Sequence, residues 1–321
     1  MVDGIAIMVL RSRLSRICGS RKMSEGQKTR KIENILRKTK LPILSRLYAD
    51  DPDGMDDAMD VILGTDTCTL CVQRCQPGFE LQLRGHLEEI RGYNQLIKTV
   101  ESLRRIPYNT NNIQHEEMLL QLWQLLCPHK KLRAPVTKQW TELGFQGKNP
   151  RTDFRGMGLL GLHNLLFFAS EYPDKARELL SHSKNEKYGY SFAIVGINMT
   201  SLAYNLLCRG SLKSYIYNSI RGPARIYDFH NFYCYLLCEF DKFWMMEKPT
   251  NLMQFTSIKS KFEKRISSLL NGKNISINPV FIKTDCQNRH LQLHKAKQTT
   301  SLIDEKTGEN DILNTSYYLW V

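Results

Sequence analysis

The chain has 321 residues, of which 42% are hydrophobic and 10% aromatic, enough for one large domain or two small ones with a sizeable core. That composition excludes an intrinsically disordered chain. The formal net charge is +13, but residues 1–40 carry 11 Lys/Arg against Asp3, Glu25 and Glu33, whereas residues 271–321 are nearly balanced. The basicity therefore belongs to an N-terminal arm and not to a nucleic-acid-binding face of the main body. Such an arm suits an anionic membrane surface or RNA about equally well, or is a solvated tail; with the main body only weakly basic, no nucleic-acid partner is expected. No apolar run approaches the ~20 residues needed to span a bilayer, and Gly4 to Leu10 is too short for a secretory core. The nine cysteines are odd in number, and several lie in apolar helical stretches; buried free thiols in a reducing compartment fit best.

In chain order, residues 1–28 read as the basic arm, and Thr29 to Lys40 as a short amphipathic helix with Ile32, Ile35 and Leu36 on one side. Asp50 to Gly54 is a turn cluster, followed by helical spacing of Met55, Met59, Ile62 and Leu63. Glu80 to Arg105 carries a long apolar stripe through Leu83, Leu87, Ile90, Leu96, Ile97, Val100 and Leu103. After a break at Pro107, Gln114 to Cys127 is helical, with Pro128 ending it. Residues 143–153 read as a polar, Gly-containing loop. Helices follow at Gly158 to Ser170, from Pro173 to about His182, at Ser191 to Cys208, at Tyr227 to Glu247 and at Leu252 to Leu270. No two-residue alternation or hairpin signal is present. The expected fold class is all-α, with a basic arm over 1–40, an appended helical region over 41–79, the main domain over 80–270 and an irregular, disordered tail over 271–321.

Most chemical signals are weak. Cys68-x2-Cys71-x3-Cys75 is half a zinc pattern without an organised second half; His86 lies further on, and His290 and His294 lie in the tail. His115-Glu-Glu lacks a histidine four residues on and reads as acidic residues at a helix start. Gly156-x-Gly158-x2-Gly161 lacks the Lys-Ser/Thr ending of a phosphate loop and follows no strand. Three sequons (Asn198, Asn274, Asn314) carry no meaning in a cytosolic chain.

Trp140 to Phe168 differs. Thr152 or Asp153 is a plausible N-cap, which places Arg155 in the first helical turn, where a cation opposes the macrodipole. Gly156, Gly158 and Gly161 are poor helix formers that allow another backbone or a phosphate to come close. An arginine, small residues and a helix start make an anion site; the alternative is that Arg155 pairs with Asp153 and the glycines serve packing.

The segment Trp140-x3-Gly-Phe-Gln-x3-Pro-x-Thr-Asp-Phe-Arg-Gly-x-Gly-x-Leu-Gly-Leu-x-Asn-Leu-x-Phe-Phe168 resembles the distinctive motif of the ELMO domain. His115-Glu-Glu-Met-Leu119, Lys138-Gln-Trp140, Gly189 to Asn198 and Tyr233 to Trp244 extend the resemblance over about 80–270. It implies a multi-helix domain with GTPase-activating activity toward Arf and Arf-like small GTPases, dependent on the arginine at position 155. GTP and Mg²⁺ would be carried by the partner, with no cofactor of the chain's own. Asp153 is a candidate to orient Arg155, Gln146 to place water or serve the fold, Lys148 and Arg151 to steer an acidic partner, and Gly156 and Gly158 to permit close approach. The alternative implied function is a non-catalytic scaffold in a small-GTPase signalling complex. The resemblance also implies a cytoplasmic protein, peripheral on intracellular membranes and concerned with vesicle trafficking. Residues 1–20, however, replace the family's usual apolar start with a largely basic one.

Overall fold

The structure is a computed structural model that describes residues 2–39, 47, 53–63 and 78–271. Among the described residues all regular structure is helical, in eleven α-helices and three 3-10 helices. We number the α-helices α1 (Val2–Cys18), α2 (Glu25–Thr39), α3 (Gly54–Leu63), α4 (Phe79–Arg105), α5 (Ile113–Leu126), α6 (Gly158–Glu171), α7 (Pro173–Ser183), α8 (Phe192–Cys208), α9 (Lys213–Ser219), α10 (Ile226–Glu247) and α11 (Phe255–Asn271). The 3-10 helices are Lys138–Leu143, Pro150–Gly156 and Leu252–Gln254. The fold is all-α, as expected.

The hub is α6, which packs against α4, α5, α7, α8 and α10. Its sequence is nearly all apolar, and Leu159, Leu160, Leu162, Leu165 and Phe168 are buried around its whole circumference, as a central helix requires. Around it, α4 turns Leu83, Leu87, Ile90, Tyr93, Leu96 and Val100 inward, and α10 turns Phe229, Phe232, Tyr233, Leu236, Leu237, Phe240 and Trp244 inward. Both sets follow three- and four-residue steps. Two starts are fixed by side chains: Asn112 accepts from the N–H groups of Gln114 and His115 at α5, and the Arg225 N–H donates to Asp228 at α10.

Residues 2–39 are not a free arm. Helices α1 and α2 lie on α4, α2 also packs on α9, and Leu10, Leu14, Cys18, Ile32 and Leu36 join the common core. Fully burying such a side chain stabilises by about 1.5–3 kcal/mol, which orders helices of this length that would be marginal alone. Glu33, buried to 1% exposure, accepts from Lys213 and Tyr217 of α9 and pairs with Arg37. The basic residues Arg13, Arg16, Arg30 and Lys31 stay exposed on the outer side. Of the expected tail (271–321), Asn271 closes α11 and the rest lies outside the described residues, as do the Cys68, Cys71, Cys75, His290 and His294 candidates. Among the described residues, Cys18, Cys127, Cys208, Cys234 and Cys238 are free thiols, and no group of three or more potential metal ligands occurs. No described helix is long and apolar enough to cross a membrane.

Candidate functional site

The stretch between α5 and α6 holds two of the 3-10 helices, where the sequence reads as a loop. Arg155 lies in the last turn of the Pro150–Gly156 helix, not in the first turn of α6. Pro150 opens that helix, and the Asn149 side chain caps it by accepting from the Arg151 N–H at 3.0 Å. Neither Thr152 nor Asp153 is a cap. A cation near a helix C-terminus complements the dipole, so the expected conflict with the macrodipole disappears.

Phe154 fixes the element. It is 1% exposed, and its ring meets Tyr108 and Phe145 at 5.7 Å each. The contacts continue through Phe145–Trp140 at 5.9 Å and Trp140–Trp123 at 5.5 Å on one side, and Tyr108–His115 at 5.7 Å on the other. The indole N–H groups of Trp123 and Trp140 donate to the carbonyls of Lys130 and Pro135, which ties the 128–137 loop to the same column. With Phe154 anchored inward, the adjacent Arg155 is turned out: it is exposed and forms no ion pair or hydrogen bond among the described residues.

Asp153 does not pair with Arg155. Its Oδ2 accepts from the Gln146 N–H at 2.9 Å, which staples the 145–146 turn to the 3-10 helix. Gln146 is exposed and tied in through its backbone; Lys148 is exposed while its carbonyl accepts from the Thr137 N–H at 3.0 Å. Arg151 is exposed on the same helix as Arg155.

Two glycines set the element's position. Gly144, at φ +81°, lies so close to α8 that an added Cβ would fall 2.4 Å from the Phe192 nitrogen. Gly158, at φ +52°, abuts the end of α4: its Cβ would fall 2.2 Å from the Arg104 carbonyl oxygen and 2.5 Å from that of Ile106. The Leu159 N–H then donates to Ile106 at 2.9 Å. Gly158 is thus needed inside the fold, whereas a Cβ on Gly156 would meet nothing within 4 Å. Of the glycines expected to permit approach, only Gly156 faces open space.

His115 is a packing residue. It is buried, its Nδ1 accepts from the Asn109 N–H at 3.0 Å, and burial lowers its pKa, which keeps it a neutral acceptor. Beside the arginine element lies a cleft of about 220 Å³ lined by residues that include Tyr108, Leu119, Leu120, Val136, Trp140 and Asn149. It was not legible in the sequence, because its walls come from four separate segments. The surrounding surface is basic: Lys131, Arg133, Lys138, Lys148, Arg151 and Arg155 are all exposed and make no ion pair among the described residues.

The ELMO/CED-12 family profile matches residues 98–259. The chain is 43% identical over 252 residues to ELMO domain-containing protein 2 of Homo sapiens, covering 78% of this chain and 85% of that protein. It is 41% identical over 292 residues to ELMO domain-containing protein 1 of Mus musculus, covering 86% and 88%. ELMO domain-containing protein B of Dictyostelium discoideum is 41% identical over 181 residues, 56% of this chain and 62% of that protein. The match contains the whole arginine element, its aromatic column and the central helix, and the chain belongs to the ELMO/CED-12 family.

Proposed function

We propose that the chain stimulates GTP hydrolysis by Arf and Arf-like small GTPases, with Arg155 supplied in trans to the partner's nucleotide. The observation that carries this reading is an exposed arginine with no partner among the described residues, held one residue after a fully buried phenylalanine. Hydrolysis spreads negative charge over the transferring phosphoryl group. A guanidinium placed against it in trans accelerates the reaction by about 10³–10⁵-fold, or ~4–7 kcal/mol of barrier. A helix already fixed by Phe154 and Asn149 avoids the cost of ordering a flexible loop at the moment of reaction.

In this reading the GTPase carries the nucleotide, Mg²⁺ and the attacking water. Arg155 supplies the charge. Asp153 and Asn149 are positioning residues that hold the helix bearing it, and Lys148 and Arg151 attract an acidic surface. Gly156 leaves the space beside Arg155 open. The exposed basic residues of α1 and α2 support peripheral contact with anionic membranes, which liposome flotation at low and high salt would test.

The test is phosphate release from a panel of GTP-loaded Arf and Arf-like GTPases. Wild-type protein accelerates hydrolysis by orders of magnitude, and Arg155→Ala removes most of the effect. Arg155→Lys restores little, because the ammonium lacks the planar fork. Equal stimulation by Arg155→Ala and wild type refutes the mechanism. Binding to the loaded GTPase without any acceleration leaves a scaffold in its place.

A further inference from the structure

The cleft beside the arginine element is not explained by the chemistry of Arg155. Its floor is formed by Leu119 and Trp140, both buried, and its walls by Tyr108, Leu120, Pro135 and Val136. Two large apolar side chains at its edge face solvent: Val136 at 57% exposure and Ile113 at 73%. Ile113 lies on the same face of α5 as Glu116 and Leu120, which line the cleft three and seven residues further on. Exposed apolar residues around a formed concavity mark an interaction site.

The cleft is continuous with the arginine element through two residues. Asn149 lines it and caps the helix bearing Arg155; Tyr108 lines it and packs on Phe154. Exposed Lys148 adjoins the lining residue Asn149 and exposed Arg133 lies two residues before the lining Pro135, which makes its rim basic, and Glu116 is the one carboxylate in its lining. We propose that this cleft receives an apolar side chain from the partner GTPase, flanked on the GTPase by acidic residues that meet the basic rim. This inference rests on the proposed GTPase-directed function and adds what that reading lacks, a docking point that fixes Arg155 relative to the nucleotide. The occupant is the GTPase because the cleft shares its residues with the support of Arg155. A protein that brings a nucleotide to this arginine brings its own surface over the cleft. An apolar anchor in a pocket, ringed by complementary charge, is the arrangement that concentrates binding energy.

Ile113→Asp and Val136→Asp alter exposed side chains outside the arginine helix, and melting curves confirm that each variant folds. Two quantities are measured against a GTP-loaded Arf-family GTPase: single-turnover hydrolysis at varied concentrations of this protein, and affinity for the same GTPase loaded with a non-hydrolysable GTP analogue. The double variant raises Kd and half-saturation by at least about tenfold, ~1.4 kcal/mol. Its saturating rate stays within about twofold, because docking and chemistry are separate. Arg155→Ala does the reverse, losing the saturating rate and keeping the affinity, and Val136→Leu stays close to wild type.

Unchanged affinity in the double variant overturns the cleft proposal and leaves the arginine mechanism intact. Wild-type binding without stimulation, lost in the double variant, keeps the cleft and removes the mechanism. No binding to any GTPase of the panel removes both. A wild-type dimer in sedimentation that the double variant dissociates assigns the cleft to a second copy and also overturns the proposal.

Discussion

Gly158→Ala tests how the arginine element is held. The residue sits at φ +52°, where an L side chain costs about 1–2 kcal/mol. Its new Cβ would lie 2.2 Å and 2.5 Å from the carbonyl oxygens of Arg104 and Ile106. Both obstacles are backbone at the end of α4, so no rotamer change relieves them. The joint must open, and the 2.9 Å bond from the Leu159 N–H to Ile106 goes with it. Leaving the N–H of buried Leu159 unpaired costs a further ~1–3 kcal/mol, so the variant is destabilised by about 2–5 kcal/mol in total. For a domain of this size, 1 kcal/mol shifts Tm by about 2–4 °C, which places the melt roughly 10 °C lower. Thermal unfolding followed by circular dichroism measures it, with Gly156→Ala as the control, expected within ~0.5 kcal/mol of wild type. A Gly158→Ala protein that melts within about 2 °C of wild type refutes the argument.

Phe154→Ala removes the anchor of the arginine helix and destabilises by about 3–5 kcal/mol. Urea unfolding gives that figure, and stimulated GTP hydrolysis falls even under conditions where the variant remains folded. Glu33→Ala leaves Lys213 as a half-buried cation without its partner, and costs about 3 kcal/mol by the same measurement; a neutral result shows that this contact does not couple α2 to α9. Acid stability depends on His230, whose pKa is pushed down to about 3 by burial, with the neighbouring His163 adding to the shift. Its neutral ring donates from Nδ1 to the Asn164 side-chain oxygen. The unfolded chain takes up a proton near pH 6.5 that the folded one refuses, so this stabilisation is present above pH 6.5 and is lost as pH falls toward 3. The loss approaches ~1.4 kcal/mol per pH unit below about pH 6; His230→Gln flattens the slope, and an unchanged slope places the acid sensitivity elsewhere.

The helices that build the core were legible because their apolar residues recur at three- and four-residue steps over more than a dozen positions, as in α4 and α10. The arginine element was legible as chemistry but not as geometry. Its two 3-10 helices are six and seven residues long, too short to show a period, and Pro150 at the first position was the available signal. Residues 1–28 were read as an arm from their basic, Ser- and Gly-containing composition, which hid α1, whereas most of α2 was legible as an amphipathic helix through Ile32 and Leu36. Leu10, Leu14 and Cys18 do recur every four residues, but their burial depends on α4 and α9, distant in sequence. The seven-residue α9 was missed for the same reason as the 3-10 helices. The sequence suggested a direct pairing of Asp153 with Arg155, whereas Asp153 holds the arginine helix through the Gln146 N–H, a contact that spacing alone does not show.

The file of rings from Trp123 through Trp140 and Phe145 to Phe154 means that the aim of Arg155 is stored several residues away, in the stacking of side chains that never meet a nucleotide. A small vacancy opened under Trp123 would be felt as a misdirected guanidinium before it was felt as an unfolded protein. On the proposed function, changes in that file should therefore be scored by stimulated GTP hydrolysis as well as by solubility.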